Sequence, residues 1–265
     1  MRINYKVFIF LMIVGLFLVN PSESSNCINI VGSTSVQPIC EELANEYKKT
    51  HNDIDINVQG GGTGLGIKCA KNCIADIGMS SKEINEYNLT EYQIGIEGIA
   101  IAVNPDNPIN DLSTEQIKNI FSGNISDWHE LSNYSGKINV IVREEGSGTL
   151  DAFKDSIMDG SEIKDDAIVQ NSAGAVKQGI IQDKNAIGFV SLTHLDSNLK
   201  DVGIDNVKAS SNSILDGSYK LQRPFLLLTN KTPDNSTLEF INWTLSNESS
   251  EIFQKEKIIK IDENV

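Results

Sequence analysis

Three times in this chain a short apolar strand signal runs into a cluster of Gly, Ser and Thr and then into a helix pattern. Residues 28–31 lead to Gly32-Ser33-Thr34-Ser35, and Val36, Ile39, Leu43, Ala44 and Tyr47 follow at helical spacings of three and four. Ile54-Asp55-Ile56-Asn57-Val58 alternates like a half-buried strand and leads to Gly60-Gly61-Gly62-Thr63-Gly64-Leu65-Gly66, with a short helix after it. Residues 138–142 lead to Arg143-Glu144-Glu145-Gly146-Ser147-Gly148-Thr149, and a helix is expected from about Leu150. Strand–turn–helix units in succession restrict the chain to α/β architecture with parallel strands, whose carboxyl ends face a ligand.

The chemistry of these junctions is that of an oxyanion socket. A helix N-terminus carries unpaired N–H groups and a partial positive charge, and glycine lets a ligand approach the main chain closely. Arg143 adds a planar, permanently charged fork that matches a tetrahedral anion. Ser35 or a neighbour is expected to cap the first helix, with Pro38 in its first turn, where a missing N–H costs little. The plain alternative at each junction is an ordinary strand-to-helix turn capped by Ser or Thr. The recurrence of hydroxyls and glycine at all three favours the socket.

The formal net charge of −14 argues against nucleic acid or an anionic membrane surface as partner. A small anion stays admissible, because dipoles and one buried arginine act at contact distance while surface charges are screened within ~10 Å. Arg2 and Lys6 precede a continuous apolar run over 7–19 and then Pro21-Ser22-Glu23-Ser24-Ser25. That run is shorter than the ~20 residues of a spanning helix and reads as an export signal, with 1–26 as signal peptide and short leader. The mature chain of about 240 residues is large enough for one big or two modest lobes. It is expected outside the cytoplasm, extracellular or periplasmic, including the outer face of the cytoplasmic membrane. In that setting Cys27, Cys40, Cys69 and Cys73 can form up to two disulfides in three connectivities. Cys27 and Cys73 would each start a neighbouring strand, which makes them a candidate pair. Cys69-x-x-x-Cys73 has no second ligand pair, and His51, His129 and His194 are scattered, so neither a metal nor a cofactor is expected.

Further along, residues 99–103 form a buried-strand run stopped by Asn104-Pro105-Asp106-Asn107-Pro108. Ser113 caps a helix carrying Ile117, Ile120 and Phe121, and Gly123 ends it. Strands are expected over 186–192 and 223–228, and helices over 235–246 and 249–255.

Taken in order, these stretches resemble the extracytoplasmic phosphate-binding protein of phosphate-specific ABC importers, from about Ile28 to the C-terminus. The matching motifs are Gly32-Ser33-Thr34-Ser35-Val36-Gln37-Pro38, Gln59-Gly60-Gly61-Gly62-Thr63-Gly64, Asp76-Ile77-Gly78-Met79-Ser80-Ser81 and Phe121-Ser122-Gly123-Asn124-Ile125-Ser126-Asp127-Trp128. Arg143 to Thr149 followed by Asp151-Ala152-Phe153, and Ala186-Ile187-Gly188-Phe189-Val190-Ser191-Leu192, complete the set. The resemblance implies a two-lobed type II periplasmic-binding-protein fold with the ligand cleft between lobes. Lobe I would comprise 27–98 plus 225–265 and lobe II 99–224, with crossings at 99–103 and 224–228. Phosphate would be held by Thr34, Ser35, Thr63, Ser81, Arg143, Ser147, Gly148 and Thr149, with Glu145 as the acidic neighbour that pairs with Arg143. Partners implied are inorganic phosphate and the membrane permease subunits of the importer, with the protein itself a monomer that does not bind nucleic acid. One position departs from the best-known pattern: Ser81 stands where an aspartate is usual, and Glu145 becomes the candidate to accept the proton of phosphate in its place.

Two rival classes remain at the level of sequence. One is a binder of another tetrahedral oxyanion, such as sulfate or molybdate, or a surface protein with a vestigial site. The other is a secreted serine hydrolase using Ser147 or Ser35. Against the hydrolase, Glu145 occupies the first glycine position of a Gly-x-Ser-x-Gly elbow, and no histidine lies in a motif that suggests a base. Residues 61–66 have the spacing of a nucleotide phosphate loop, but Ile67 stands where Lys is needed.

Overall fold

The computed structural model describes residues 26–84 and 88–261. The export signal expected over 1–26 lies outside them except for Asn26, which opens the first strand. Each expected junction is present. Strand β1 (Asn26–Gly32) feeds helix α1 (Gln37–Tyr47), β2 (Ile54–Gly60) feeds α2 (Thr63–Lys71), and β3 (Ile77–Ser80) follows. These three strands are parallel, with β1 in the middle, so their carboxyl ends and the N-termini of α1 and α2 share one edge. Ile28, Ile30, Val36, Ile39, Leu43, Ile77 and Met79 fill the space between this sheet and α1, together with Phe240 and Ile241 of α7 (Asn235–Leu245) and Phe253 of α8 (Ser250–Lys255). Gly32 makes the close packing possible. Its φ is +148°, and a Cβ there would strike the Met79 carbonyl and lie 2.9 Å from the Gly66 Cα of α2.

The second core is separate. Strands β6 (Asn139–Arg143), β7 (Ile168–Gln170) and β8 (Ala186–Ser191) are parallel, in the order β8-β6-β7. They pack against α3 (Thr114–Ser122), α4 (Gly148–Phe153) and α5 (Ala173–Gln182). Phe121, Phe153 and Phe189 meet at its centre, the last two stacked with centroids 4.4 Å apart. Helix α3 begins and ends where its caps dictate. Ser113 and Gln116 form a reciprocal capping box, and Gly123 closes the helix in the left-handed conformation, φ +85°.

Two strands join the cores. β4 (Leu89–Val103) and β10 (Gln222–Asn230) are antiparallel partners; β10 also pairs with β3 and β4 with β8, giving the order β2-β1-β3-β10-β4-β8-β6-β7. The expected strand at 99–103 is thus the last third of a fifteen-residue strand. The part before it was not legible as one, because Thr90, Glu91 and Gln93 are exposed and Ile94 is the one fully buried large apolar side chain among residues 89–98. Short strands β5 (Asp111–Leu112), β9 (Lys200–Ile204) and β11 (Ile259–Lys260) and helix α6 (Ser211–Leu215) complete the fold. Among the described residues no helix is long and apolar enough to cross a membrane.

All four cysteines are free thiols, which corrects the expected disulfides. Cys27 is in β1, but Cys73 lies in the turn after α2 and does not start β3 as expected, and the two sulfurs bond to different neighbours. Cys27 Sγ accepts from Asn57 of β2 at 3.1 Å and Cys73 Sγ from Asn230 of β10 at 3.0 Å. Cys40 and Cys69 are buried among apolar side chains.

The crossing carries a buried polar column. Glu97 of β4 and Arg223 of β10 are register partners, and Glu97 also accepts from the Ser191 hydroxyl and from Thr193 N at 3.1 Å. Thr193 Oγ1 bonds Ser191 Oγ at 2.8 Å and His194 Nδ1 at 3.1 Å, so the column ends on a histidine. Burial, reinforced by the nearby charges of Lys177, Arg223 and Arg143, lowers the His194 pKa to about 4. The unfolded chain then takes up a proton near pH 6.5, while the folded chain resists until about 4, so this contribution to stability is complete above 6.5 and lost as pH falls through that window. The loss between pH 7 and 4 is about 3 kcal/mol. Asp201, raised by burial to about 6, acts in the opposite sense, so the comparison must be with a variant that keeps it. Urea unfolding at pH 7 and 4 should show His194→Gln losing about 3 kcal/mol less than wild type across that interval. Equal losses in the two proteins would remove His194 as the cause.

Candidate functional site

The carboxyl ends of β1, β2 and β3 meet the N-terminus of α4 across the gap between the two cores, and hydroxyls converge there. Ser33 Oγ donates to Ser81 Oγ at 3.1 Å, and Thr63 Oγ1 and Ser81 Oγ lie 3.1 Å apart. Ser81 N donates to Thr63 Oγ1 at 3.2 Å, which holds the end of β3 against the start of α2. From the other side, Thr149 Oγ1 sits 3.2 Å from Ser35 Oγ. Ser33, Ser35, Thr63, Ser81 and Thr149 are all buried. Gly148 permits this approach, since a Cβ at that position would come within 2.6 Å of Ser81 Oγ and 2.8 Å of the Ser81 carbonyl.

Further contacts bind the two sides together. Gly64 N donates to the Gly146 carbonyl at 3.2 Å, and Ala173 N, at the start of α5, donates to Thr34 Oγ1 at 3.1 Å. Lys82 and Asp151 form an ion pair across the same gap. The structure is therefore the closed arrangement. Ser81, Lys82, Asp151, Gln222 and Arg223 line a cavity of about 490 Å³ that opens beside this pair.

The expected site residues divide into three groups. Ser35 meets Thr149, Thr63 meets Ser81, and Gly148 packs against Ser81. Thr34 and Ser147 border the cluster with their hydroxyls already engaged: Thr34 accepts from Ala173 N, and Ser147 caps α4 by accepting from Leu150 N at 3.4 Å. Arg143, at the end of β6, is buried with its side chain 2% exposed.

Two expectations are corrected. Ser35 does not cap α1; the N-cap is Val36 without a side-chain bond, because the Ser35 hydroxyl is turned to Thr149 instead. Glu145 does not pair with Arg143. Glu144 does, bidentately, from Nε at 2.8 Å and Nη2 at 2.9 Å. Glu145 points outward, 83% exposed, and pairs with Lys154 at 2.9 Å. The reason lies in the turn. Glu144 continues directly from β6, its N–H donating to the Gln170 carbonyl of β7, and lies against Gly62, whose Cβ would be 3.0 Å from Glu144 Oε1. Glu145 is at the outer corner, one residue before Gly146 at φ +85°.

Sequence reasoning missed Arg223, Glu97, Ser191 and His194. Arg223 Nη1 donates to Thr149 Oγ1, and Nη2 donates to Glu97 Oε2 at 3.2 Å, with both side chains essentially buried. Burial pushes the Glu97 carboxyl up, and Arg223, Ser191 and Thr193 pull it back. The available signal was one charge of each sign at the ends of two runs otherwise read as buried strand, Arg223 before Pro224-Phe225-Leu226 and Glu97 before Gly98-Ile99-Ala100. Among the described residues no group of three or more His, Cys, Asp or Glu is placed to hold a metal ion. Chemically, the cluster offers neutral hydroxyl and amide donors, with the buried Arg223 bonded to one of them and Arg143 buried at the end of β6, each guanidinium paired with a carboxylate. Such a set matches an oxyanion shed of its water.

Comparison with known proteins agrees with this geometry. Residues 19–248 match the family model of the PBP superfamily domain. The phosphate-binding protein PstS of Bacillus subtilis is 32% identical over 206 residues, spanning 75% of this chain and 68% of that protein. A crystal structure of a putative phosphate ABC transporter substrate-binding protein with bound phosphate, from Clostridium perfringens, superposes with a TM-score of 0.86 at 34% identity, covering 89% of this chain and all of that one. An ABC-type phosphate transport receptor from Vibrio cholerae superposes with a TM-score of 0.71 at 32% identity, covering 88% of this chain and all of that one. The two-lobed α/β architecture, the hydroxyl cluster between lobes and these similarities converge: the chain belongs to the PBP superfamily and, within it, to the family of phosphate-binding proteins with a type II fold.

Proposed function

We propose that this chain captures inorganic phosphate outside the cytoplasm and delivers it to the permease subunits of an ABC importer. The observation that carries the reading is the buried cluster of Ser35, Thr63, Ser81 and Thr149 hydroxyls, contributed from both sides of one cleft, with Arg143 buried at the end of the strand that leads into α4. Thr34, Ser147 and Gly148 border it. We take the lobes to be 27–98 plus 225–265 and 99–224, and the working form to be a monomer without affinity for nucleic acid. The reading as a binder, not an enzyme, is supported by the hydroxyls themselves. Ser147 Oγ is spent on capping α4, Ser35 Oγ bonds Thr149, and His194 bonds Thr193, so neither serine candidate has a base beside it among these contacts.

Selectivity follows from what surrounds the hydroxyls. Phosphate near neutral pH carries a proton and sulfate does not, so a carboxylate in the site would reward the one and repel the other. Glu144 gives both oxygens to Arg143, Glu97 gives both to Arg223, Ser191 and Thr193, and Asp151 is paired with Lys82, which leaves Ser81, able to donate or accept, in the aspartate's place. The site should therefore prefer phosphate by a narrower margin than a carboxylate-bearing site.

Calorimetry of the mature protein against phosphate, sulfate and molybdate is the direct test. Phosphate should bind most tightly, and a protein that took sulfate or molybdate better would be an importer component for that anion instead. Ser81→Asp should weaken sulfate binding more than phosphate binding; equal effects on both would show that position 81 does not read the proton. Arg143→Lys should weaken phosphate roughly ten- to hundred-fold, since an ammonium cannot reproduce the fork. Glu144→Gln should weaken it by a smaller factor through loss of Arg143 orientation, while Glu145→Gln leaves it unchanged. A Glu145→Gln protein that bound phosphate as weakly as Glu144→Gln would return Glu145 to the site.

A further inference from the structure

Arg223 is the group in this cleft that the motifs do not mention. It lies on β10 at the crossing, directly opposite Glu97 on β4, with the two side chains 1% and 0% exposed. A buried ion pair is a weak source of stability, because desolvating both charges cancels most of their attraction and an apolar pair of similar volume often serves as well. The placement of this pair says more than its charge. Glu97 is filled from three directions, by Arg223 Nη2, the Ser191 hydroxyl and Thr193 N. It fixes the guanidinium so that Nη1 meets Thr149 Oγ1, while Nε stays buried without a partner. The plane of the guanidinium is further constrained by the Phe225 ring, 5.4 Å away.

Thr149 is where three parts of the molecule meet. Its backbone belongs to α4 of one lobe, Ser35 of the other lobe is 3.2 Å from its hydroxyl, and Arg223 of the crossing donates to the same oxygen. A hydroxyl has one proton and two lone pairs, and an arginine can only donate. The Arg223 bond therefore occupies a lone pair of Thr149 and leaves its proton to point away from the crossing, into the space between the lobes. A charged donor on the oxygen also polarises that O–H.

We propose that Arg223, held by Glu97, is a positioning residue of the anion site: it presents the Thr149 hydroxyl as a donor to the bound oxyanion and thereby ties the crossing strands to the closed cleft. This rests on the reading of the cleft as an oxyanion site. Arg223 acts on the anion through Thr149, and because Glu97 balances its charge it contributes an oriented donor and no net positive charge.

The test is a mutant cycle read by calorimetry, with the anion that wild type binds best among phosphate, sulfate and molybdate. Removing both charges together, Glu97→Gln with Arg223→Met, avoids leaving an orphan buried carboxylate. This double variant should keep the wild-type circular dichroism and bind the anion about ten-fold or more weakly. Thr149→Val should bind weakly as well. In the Thr149→Val background, adding the double change should alter affinity by less than about two-fold, because the path from Arg223 to the anion is already cut. Losses that multiply would overturn the proposal, since a general effect on the hinge or on packing acts whether or not the Thr149 hydroxyl is present. If the double variant fails to fold, Arg223→Lys takes its place in the same cycle, with one ammonium where a fork served two partners; affinity equal to wild type would then overturn the proposal. A wild type that prefers sulfate or molybdate defeats the phosphate reading while the coupling is still measured, and a wild type that binds none of the three defeats both.

Discussion

The antiparallel pairing of β4 with β10 is the constraint on which the rest of this molecule depends. Each strand belongs to both halves. β4 pairs with β10 along its first ten residues and with β8 along its last five, while β10 also pairs with β3. The two hydrophobic cores do not merge, so this ladder and the contacts across the cleft set how the lobes face each other. A polar column at the crossing would be costly in a merged core. Here it links the geometry of the hinge to groups in the cleft, through Glu97, Arg223 and Thr149 on one side and through Ser191, Thr193 and His194 on the other.

A chain of net charge −14 that is suited to an anion needs local chemistry to overrule its global charge. Most of its acidic side chains lie at the surface, where salt screens them within ~10 Å. In the cleft the balance is different. Arg143 is neutralised by Glu144, Arg223 by Glu97 and Lys82 by Asp151, so these three ion pairs leave no net excess of either sign. The attraction for an anion must then come from orientation. The donors on hand are the Ser35, Thr63, Ser81 and Thr149 hydroxyls and the Arg223 guanidinium bonded to Thr149, while Glu144 and Glu97 are taken up by the two arginines. This division of labour explains why the acid that serves Arg143 is Glu144, anchored to the sheet by its own N–H, and not the exposed Glu145 one position further on.

Much of the frame was legible because local chemistry decided it. Ser113 and Gly123 begin and end α3 as side-chain capping and a left-handed glycine require, and the three hydroxyl-rich junctions lie at the carboxyl ends of β1, β2 and β6. What escaped was decided by partners distant in sequence. Arg223 and Glu97 are 126 positions apart, and only the register of β10 on β4 reveals that they pair. Ser35 reads as a helix cap because its neighbours are helix formers, yet the hydroxyl of Thr149, 114 positions away, claims it. Cys27 lies in β1 and Cys73 in the turn that leads to the adjacent β3, but the sense in which each sulfur turns is set by Asn57 and Asn230 on the strands outside them.

The hydroxyls of the cleft can each donate or accept, so by themselves they do not decide which protonation state of an anion the site prefers. That choice is made by neighbours that cannot adapt. Arg223 takes up one lone pair of Thr149 Oγ1, and the Ser81 amide takes up one of Thr63 Oγ1. Ser33 donates to Ser81 and accepts from Ser35 N at 3.3 Å, which leaves the Ser81 proton free to turn toward Thr63 or toward a ligand. Ser81, like Ser35, is not fixed in direction by these contacts, and it stands where the family pattern usually has an aspartate. On the proposed reading of the cleft as a phosphate site, the Ser81 hydroxyl is the group that would meet the proton of the anion in place of a carboxylate.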